Sequence, residues 1–194
     1  MGTEQRAGGR LSLTGRTGGG LAARLDAWVA EARVDEAARA RGRERWMLEL
    51  AEQEATLGGV LLDLAERAEP VVVRTAAGRV HQGEVDLVGS DFVALRIAEG
   101  VALVPHRAVT LVRTAPGAAA PVGARGLRSE VGLAEVLREL AADRERAMVV
   151  LADGGEAVRG ALHAVGADVL TLRVDGDPPA RVHVPLSAVG EVLL

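Results

Sequence analysis

One sequence pattern occurs twice in the chain, and this internal repeat constrains the fold more than any other feature. Residues 83–96 read "GEVDLVGSDFVALR" and residues 160–173 read "GALHAVGADVLTLR". Both stretches alternate apolar and polar residues around a Gly-containing turn, which is typical of a β-hairpin. Further on, "VPHRAV" recurs as "VPLSAV", and the spacing between the copies grows only before Gly160 and at "DGDPPA". The insertions therefore fall in turns, as a duplicated β-fold tolerates.

Each copy of the repeat begins with a helical pattern and continues with strands. Apolar residues at helical spacing predict a helix in residues 57–64, and the same spacing recurs in 133–140. After Pro70 the period shortens to about two residues, which predicts five short strands separated by "TAAGR", "VGSD", "AEG" and "VPHR". Residues 146–194 predict five more strands.

The remaining segments divide the chain. Residues 1–20 are rich in Gly and show no periodicity, which predicts a disordered tail. A Pro/Gly/Ala-rich stretch between the repeats predicts a linker. The predicted organisation is a tail at 1–20, a helical arm at 21–56, repeat 1 at 57–113, a linker at 114–126 and repeat 2 at 127–194.

A helix followed by five short, bent strands resembles the Sm-like (LSm) small barrel. In that resemblance Gly83 and Gly160 allow the sharp bend of the second strand, and Ala108 and Ala188 pack closely between the fourth and fifth strands. It implies an α+β fold: an N-terminal helical arm followed by two tandem helix-plus-five-stranded Sm-like or SH3-like small barrels. The segment "EATLGGVLLDLAER" is similar to one in actinobacterial proteins of unknown function.

The RNA site of Sm-like proteins is not retained. That site uses an Asp and an Asn between the second and third strands, with a base-stacking group nearby, but "VGSDFVAL" and "VGADVLTL" contain no Asn. Residues 69–113 hold five Arg and five acids, and residues 127–194 hold seven Arg and eleven acids. Without a basic patch we expect weak or absent binding of generic oligonucleotides at physiological salt. An Sm-like RNA-binding regulatory protein is the alternative function.

Composition excludes several other classes. The chain has no Cys, so disulfides and thiolate metal sites are excluded, and its 23 basic residues are all Arg. Its net charge of −4 does not favour a dedicated nucleic-acid binder. The first residues contain no apolar signal-peptide core, and no apolar run reaches membrane-spanning length. We therefore expect a cytoplasmic protein.

No group of residues predicts catalysis, a cofactor or a metal. None of the four histidines recurs in both repeats or has a partner at ligand spacing, which predicts rim or surface histidines. Asp91 and Asp168 do recur, and an Asp beside Gly in a turn is expected to bind nearby backbone amides. Nucleophile–base patterns and phosphate loops are missing from the sequence. The protein is predicted not to be an enzyme.

The candidate interaction surface consists of four residues: Trp28, Trp46, Arg96 and Arg173. The two tryptophans either cover open barrel ends or form a face for self-association or for a protein partner. The two arginines either contact phosphate or form cross-strand ion pairs with acids. We therefore expect a non-catalytic interaction or scaffolding protein that meets a partner, or itself, through the helical arm or the barrel edges.

Overall fold

The computed structural model describes residues 18–118, 123, 129–154 and 156–194. Most of the predicted tail and linker lies outside these residues, although a helix already begins at Gly18. Contacts along the chain separate two compact units, Met1–Met47 and Leu48–Leu194. All ten strands described below belong to the second unit.

Three helices lie in the described residues. The first is α1 (Gly18–Gln53), followed by α2 (Leu57–Glu66) and, much later, α3 (Leu133–Ala142). Both short helices have an apolar face, and α2 buries Leu61 and Leu64 while α3 buries Leu133 and Leu137. Thr56 caps α2, because its Oγ1 accepts a hydrogen bond from the Gly59 N–H at 3.0 Å.

The strands form two groups with matching element order. The first group is β1 (Pro70–Thr75), β2 (Val80–Val88), β3 (Phe92–Ile97), β4 (Gly100–Pro105) and β5 (Val109–Thr114). The second group is β6 (Arg146–Leu151), β7 (Ala157–Val165), β8 (Val169–Val174), β9 (Ala180–Pro185) and β10 (Val189–Leu193). Residues at the same place in matching strands are called corresponding residues below.

The fold-class prediction is wrong, because the strands do not form two separate helix-plus-five-stranded barrels. They form one open antiparallel sheet in the order β5-β1-β2-β3-β4-β10-β6-β7-β8-β9. A closed first barrel would need β4 to pair with β5. Instead β4 pairs with β10 of the second group, with Leu103 opposite Val192 and Ala102 opposite Leu193. We call this contact between β4 and β10 the joint.

The joint lies between two hydrophobic cores. Along β3 the buried residues alternate: Val93 and Leu95 face the core of the first group, whereas Phe92 and Ala94 face the core of the second. On β4, Leu103 likewise packs into the second core. Strands β3 and β4 are therefore buried on both faces, and neither group completes its core without the other.

The second strand of each group bends against the third, as the two repeated glycine positions predict. A Cβ placed on Gly83 would overlap the Arg96 carbonyl oxygen, and one on Gly160 would overlap that of Arg173. A bulge follows in each strand, at Asp86 in β2 and His163 in β7. Bulges increase the local twist and redirect a side chain.

Polar groups of the first group also bind the backbone of the second. Arg107, in the 3₁₀ turn His106–Ala108, donates to the carbonyl oxygens of Leu186, Ser187 and Val189. These contacts join the turn after β4 to the corresponding turn after β9. They add polar support to the apolar packing at the joint.

Asp91 makes a second polar link between the groups. Its carboxylate accepts a hydrogen bond from the Leu133 N–H at 2.7 Å, at the beginning of α3. Asp91 thus binds a backbone amide as predicted, but the amide is 42 residues further along the chain rather than nearby. The carboxylate instead supplies the helix cap that Gly132, having no side chain, does not provide.

This cap predicts unequal effects of two corresponding substitutions. Asp91→Ala should lower the free energy of unfolding by about 1 kcal/mol, because a helix-capping acceptor is lost. Asp168→Ala should change it by less than about 0.5 kcal/mol, since the Asp168 side chain has no hydrogen bond among the described residues. Urea denaturation followed by circular dichroism measures both, and equal effects would contradict the assignment.

Candidate interaction surfaces

The two tryptophans lie on one side of α1. Trp28 and Trp46 are separated by a whole number of helical turns, at about 3.6 residues per turn, so they share a helix face. Their side chains are 66% and 59% exposed. The alternative that these residues cover open barrel ends does not apply, because the described strands form an open sheet rather than two barrels. Their role as an interaction surface stays a prediction.

Arg96 and Arg173 are corresponding residues with different surroundings. Arg96 forms a cross-strand ion pair with Asp86, one of the two alternatives that the sequence left open. At the position that corresponds to Asp86, the second group has His163. Arg173 has no hydrogen-bond or ion-pair partner among the described residues. At the place where Arg96 has Asp86, Arg173 therefore has a histidine, which lines the same concavity.

The prediction that all four histidines lie on the rim or surface is wrong for His81. His81 is buried, and its Nε2 lies 2.8 Å from Oε2 of Glu191 on β10. The other Glu191 oxygen lies 2.6 Å from Nε of Arg79, so the three side chains link the beginning of β2 to β10. Among the described residues, no group of three or more His, Cys, Asp or Glu side chains could hold a metal ion.

Glu191 is the part of this cluster that the sequence could have revealed. It is fully buried at the third position of β10, where the corresponding residue of β5 is the apolar Leu111. A carboxylate inside an otherwise apolar strand pattern indicates a buried charge with a partner. The partners come from a distant part of the chain, and nothing in the local sequence identifies them.

Removing this carboxylate tests what the buried pair contributes. Glu191→Leu should lower the free energy of unfolding by about 3–5 kcal/mol, because His81 and Arg79 lose a buried partner. The double variant Glu191→Leu/His81→Val should recover most of that loss, since apolar residues of similar size often replace a buried pair without cost. Urea midpoints measure both variants. A double variant no more stable than the single one would contradict this account.

The two edge strands present different surfaces. On β5, Leu111 is 44% exposed and Val109 and Val112 are partly buried. On β9, Arg181 and His183 are exposed, where the corresponding β4 residues Val101 and Leu103 pack against the second core. The β5 edge therefore exposes Leu111 between Thr110 and Arg113, whereas the β9 edge exposes Arg181 and His183.

Comparison of the chain with protein-family models, with curated proteins and with solved structures found no match. The resemblance to Sm-like barrels and the internal duplication therefore stay predictions of the sequence. In the described part of the chain, no helix combines the length and apolar character required to cross a membrane. The function has to be inferred from the surfaces themselves.

Proposed function

We propose that the protein is a non-catalytic interaction module that associates with a second copy of itself through the β5 edge of its sheet. The observation that supports this most is the open side of β5, which among the described strands pairs with β1 alone. An unpaired strand edge offers backbone donors and acceptors to another strand, and this mode gives affinity through main-chain hydrogen bonds. Leu111, 44% exposed on this edge, adds apolar area.

The other edge is poorly suited to the same role. Inside the chain the joint is supported by Arg107 and by the pair of His81 with Glu191. The residues that correspond to Arg107 and His81 in the second group are Ser187 and Val158, which cannot make these contacts. A second joint, formed between β9 of one copy and β5 of the next, would therefore lack both of these supporting contacts.

The charges on β5 permit its pairing with itself. Two antiparallel β5 strands centred on Leu111 place each Arg113 opposite an uncharged residue. Like charges that face each other across strands are destabilising. A two-fold symmetric pair closes on itself and gives a dimer rather than an open chain.

A substitution at the centre of β5 tests the proposal. Leu111→Arg should convert the full-length protein from dimer to monomer, because two arginines would face each other across the symmetric contact. Leu87→Arg is the matched control, since Leu87 is 42% exposed on β2, which is not an edge strand of the sheet. Sedimentation velocity at several concentrations measures the assembly, and the control should remain dimeric.

Three outcomes would overturn the proposal. One is a wild-type chain that is monomeric at all concentrations. Another is a dimer that resists Leu111→Arg but is lost on Trp28→Ala/Trp46→Ala, because the α1 face would then be the contact. The third is a series of larger assemblies that grow with concentration, which would indicate head-to-tail pairing of β5 with β9.

A dimer of this kind would have a scaffolding role, since it presents two copies of every other surface at a fixed spacing. No catalytic step is assigned to it. A cytoplasmic location belongs to the same proposal and rests on the amino-acid sequence. A protein of another kind that binds to α1 is compatible with this arrangement, because the proposed contact does not use α1.

A further inference from the structure

Three arginines of the second group surround His163 on one side of the sheet. Arg173 on β8 lies directly opposite Arg181 on β9 and directly opposite Ala161 on β7, so these side chains share a face. Two adjacent concavities of about 230 and 310 Å³ both include His163 and Arg173. Arg144 lines the first concavity and Arg181 lines the second.

His163 is held in place by Arg144. The Arg144 guanidinium donates to the His163 carbonyl oxygen at 2.7 Å and also faces Nδ1 of the ring. A guanidinium can only donate, so Nδ1 accepts and the neutral imidazole carries its proton on Nε2. The site therefore presents hydrogen-bond donors from three guanidinium groups and one imidazole.

The corresponding place in the first group lacks the arginine cluster. There Arg96 has Glu84 opposite it and is ion-paired with Asp86. The second group keeps the arginine but replaces those two acids with Ala161 and His163. The two negative charges beside the arginine are thereby lost.

The second group also gains positive charge at this place. It has Arg181 where β4 has Val101, and Arg144 where Ala68 follows α2. With histidine neutral, the formal charge changes from −1 in the first group to +3 in the second. Both the loss of acids and the gain of arginines therefore favour an anion.

One carboxylate of the second group, Asp175, lies near this cluster. The pKa of Asp175 is lowered chiefly by a hydrogen bond from Arg146, its ion-pair partner at 2.6 Å, and to a smaller extent by the charge of Arg173. Neither Arg173 nor Arg181 has an ion-pair partner among the described residues. Like charges held together favour a bound counter-ion, and arginine matches the oxygens of a phosphate group with paired hydrogen bonds.

We propose that Arg144, Arg173 and Arg181, together with Nε2 of His163, form a binding site for a phosphate group. The three arginines offset the negative charge of the phosphate group and the imidazole donates one more hydrogen bond. This site is separate from the β5 edge and does not depend on self-association. The second group as a whole carries a net negative charge, but at this site the arginines are concentrated on one face.

His163 provides a direct signal of binding. Partial desolvation lowers its pKa, and the positive charges of Arg144, Arg181 and Arg173 lower it further. A bound phosphate offsets those three charges, so the pKa of His163 should rise when the site is filled. The pKa of His106 is also lowered, chiefly by burial, but His106 lies in the first group and should not respond.

The experiment is a titration of the full chain with inorganic phosphate at constant ionic strength, followed by the histidine proton signals in NMR spectra. Spectra of His163→Gln assign the His163 signal. We expect a saturable shift of that signal and a raised pKa. Arg173→Gln and Arg181→Gln should each weaken binding about tenfold or more, because each removes a charge-assisted hydrogen bond. Arg96→Gln, at the corresponding place in the first group, should leave binding unchanged.

A second titration with a short single-stranded oligonucleotide identifies the source of the phosphate. Saturation at a lower concentration than inorganic phosphate, with the same sensitivity to Arg173→Gln, would assign the site to a nucleic-acid backbone. Saturation by inorganic phosphate alone would assign it to a small phosphorylated ligand. The proposal is overturned if neither probe gives a saturable shift of His163, or if Arg96→Gln and Arg173→Gln weaken binding equally.

The variant His163→Asp gives a further check. It places a carboxylate beside Arg173, as Asp86 lies beside Arg96 in the first group. The new carboxylate should therefore form an ion pair with Arg173. We expect the variant to remain folded, since His163 lies in a bulge and is not fully buried. Phosphate-induced changes in the amide signals of residues 161–173 should disappear, and their persistence would contradict the assignment of the site.

Discussion

The structure depends on the burial of β3 and β4 on both faces. Each strand contributes residues to two cores, and the pairing of β4 with β10 holds those cores side by side. Burying apolar surface is the main favourable term in folding, and a group of about 55 residues buries little of it alone. Sharing two strands between two cores provides the burial that each group lacks.

Local features of this fold could be predicted from the sequence, whereas its closure could not. Alternation and turn residues indicate each strand, because these signals act within a few residues. Whether β4 pairs with β5 or with β10 depends on residues far apart along the chain. One signal does exist: β3 reads "FVAL" without a polar residue, whereas β8 reads "VLTL". The uninterrupted apolar run indicates burial on both faces.

The same distinction, between local signals and contacts of distant segments, applies to the functional surfaces. The pattern of residue types suggested Arg96 and Arg173 as an equivalent pair, but their neighbours make them opposite in character. Asp86 and His163 decide this, and both are visible in the sequence once the two hairpins are aligned. The contact of His81 with Glu191 was missed because it joins β2 to β10, which are distant in the chain. Residues with local partners are predictable from sequence, and residues that join distant segments are not.

The position of Asp91 makes the dependence between the two groups unequal. Helix α2 is capped by Thr56, its own neighbour in the chain. Helix α3 obtains its cap from Asp91 and packs in the core that holds Phe92, both of which belong to the earlier group. A substitution in the β2–β3 turn of the first group therefore reaches α3 of the second, whereas the beginning of α2 is insulated from the second group.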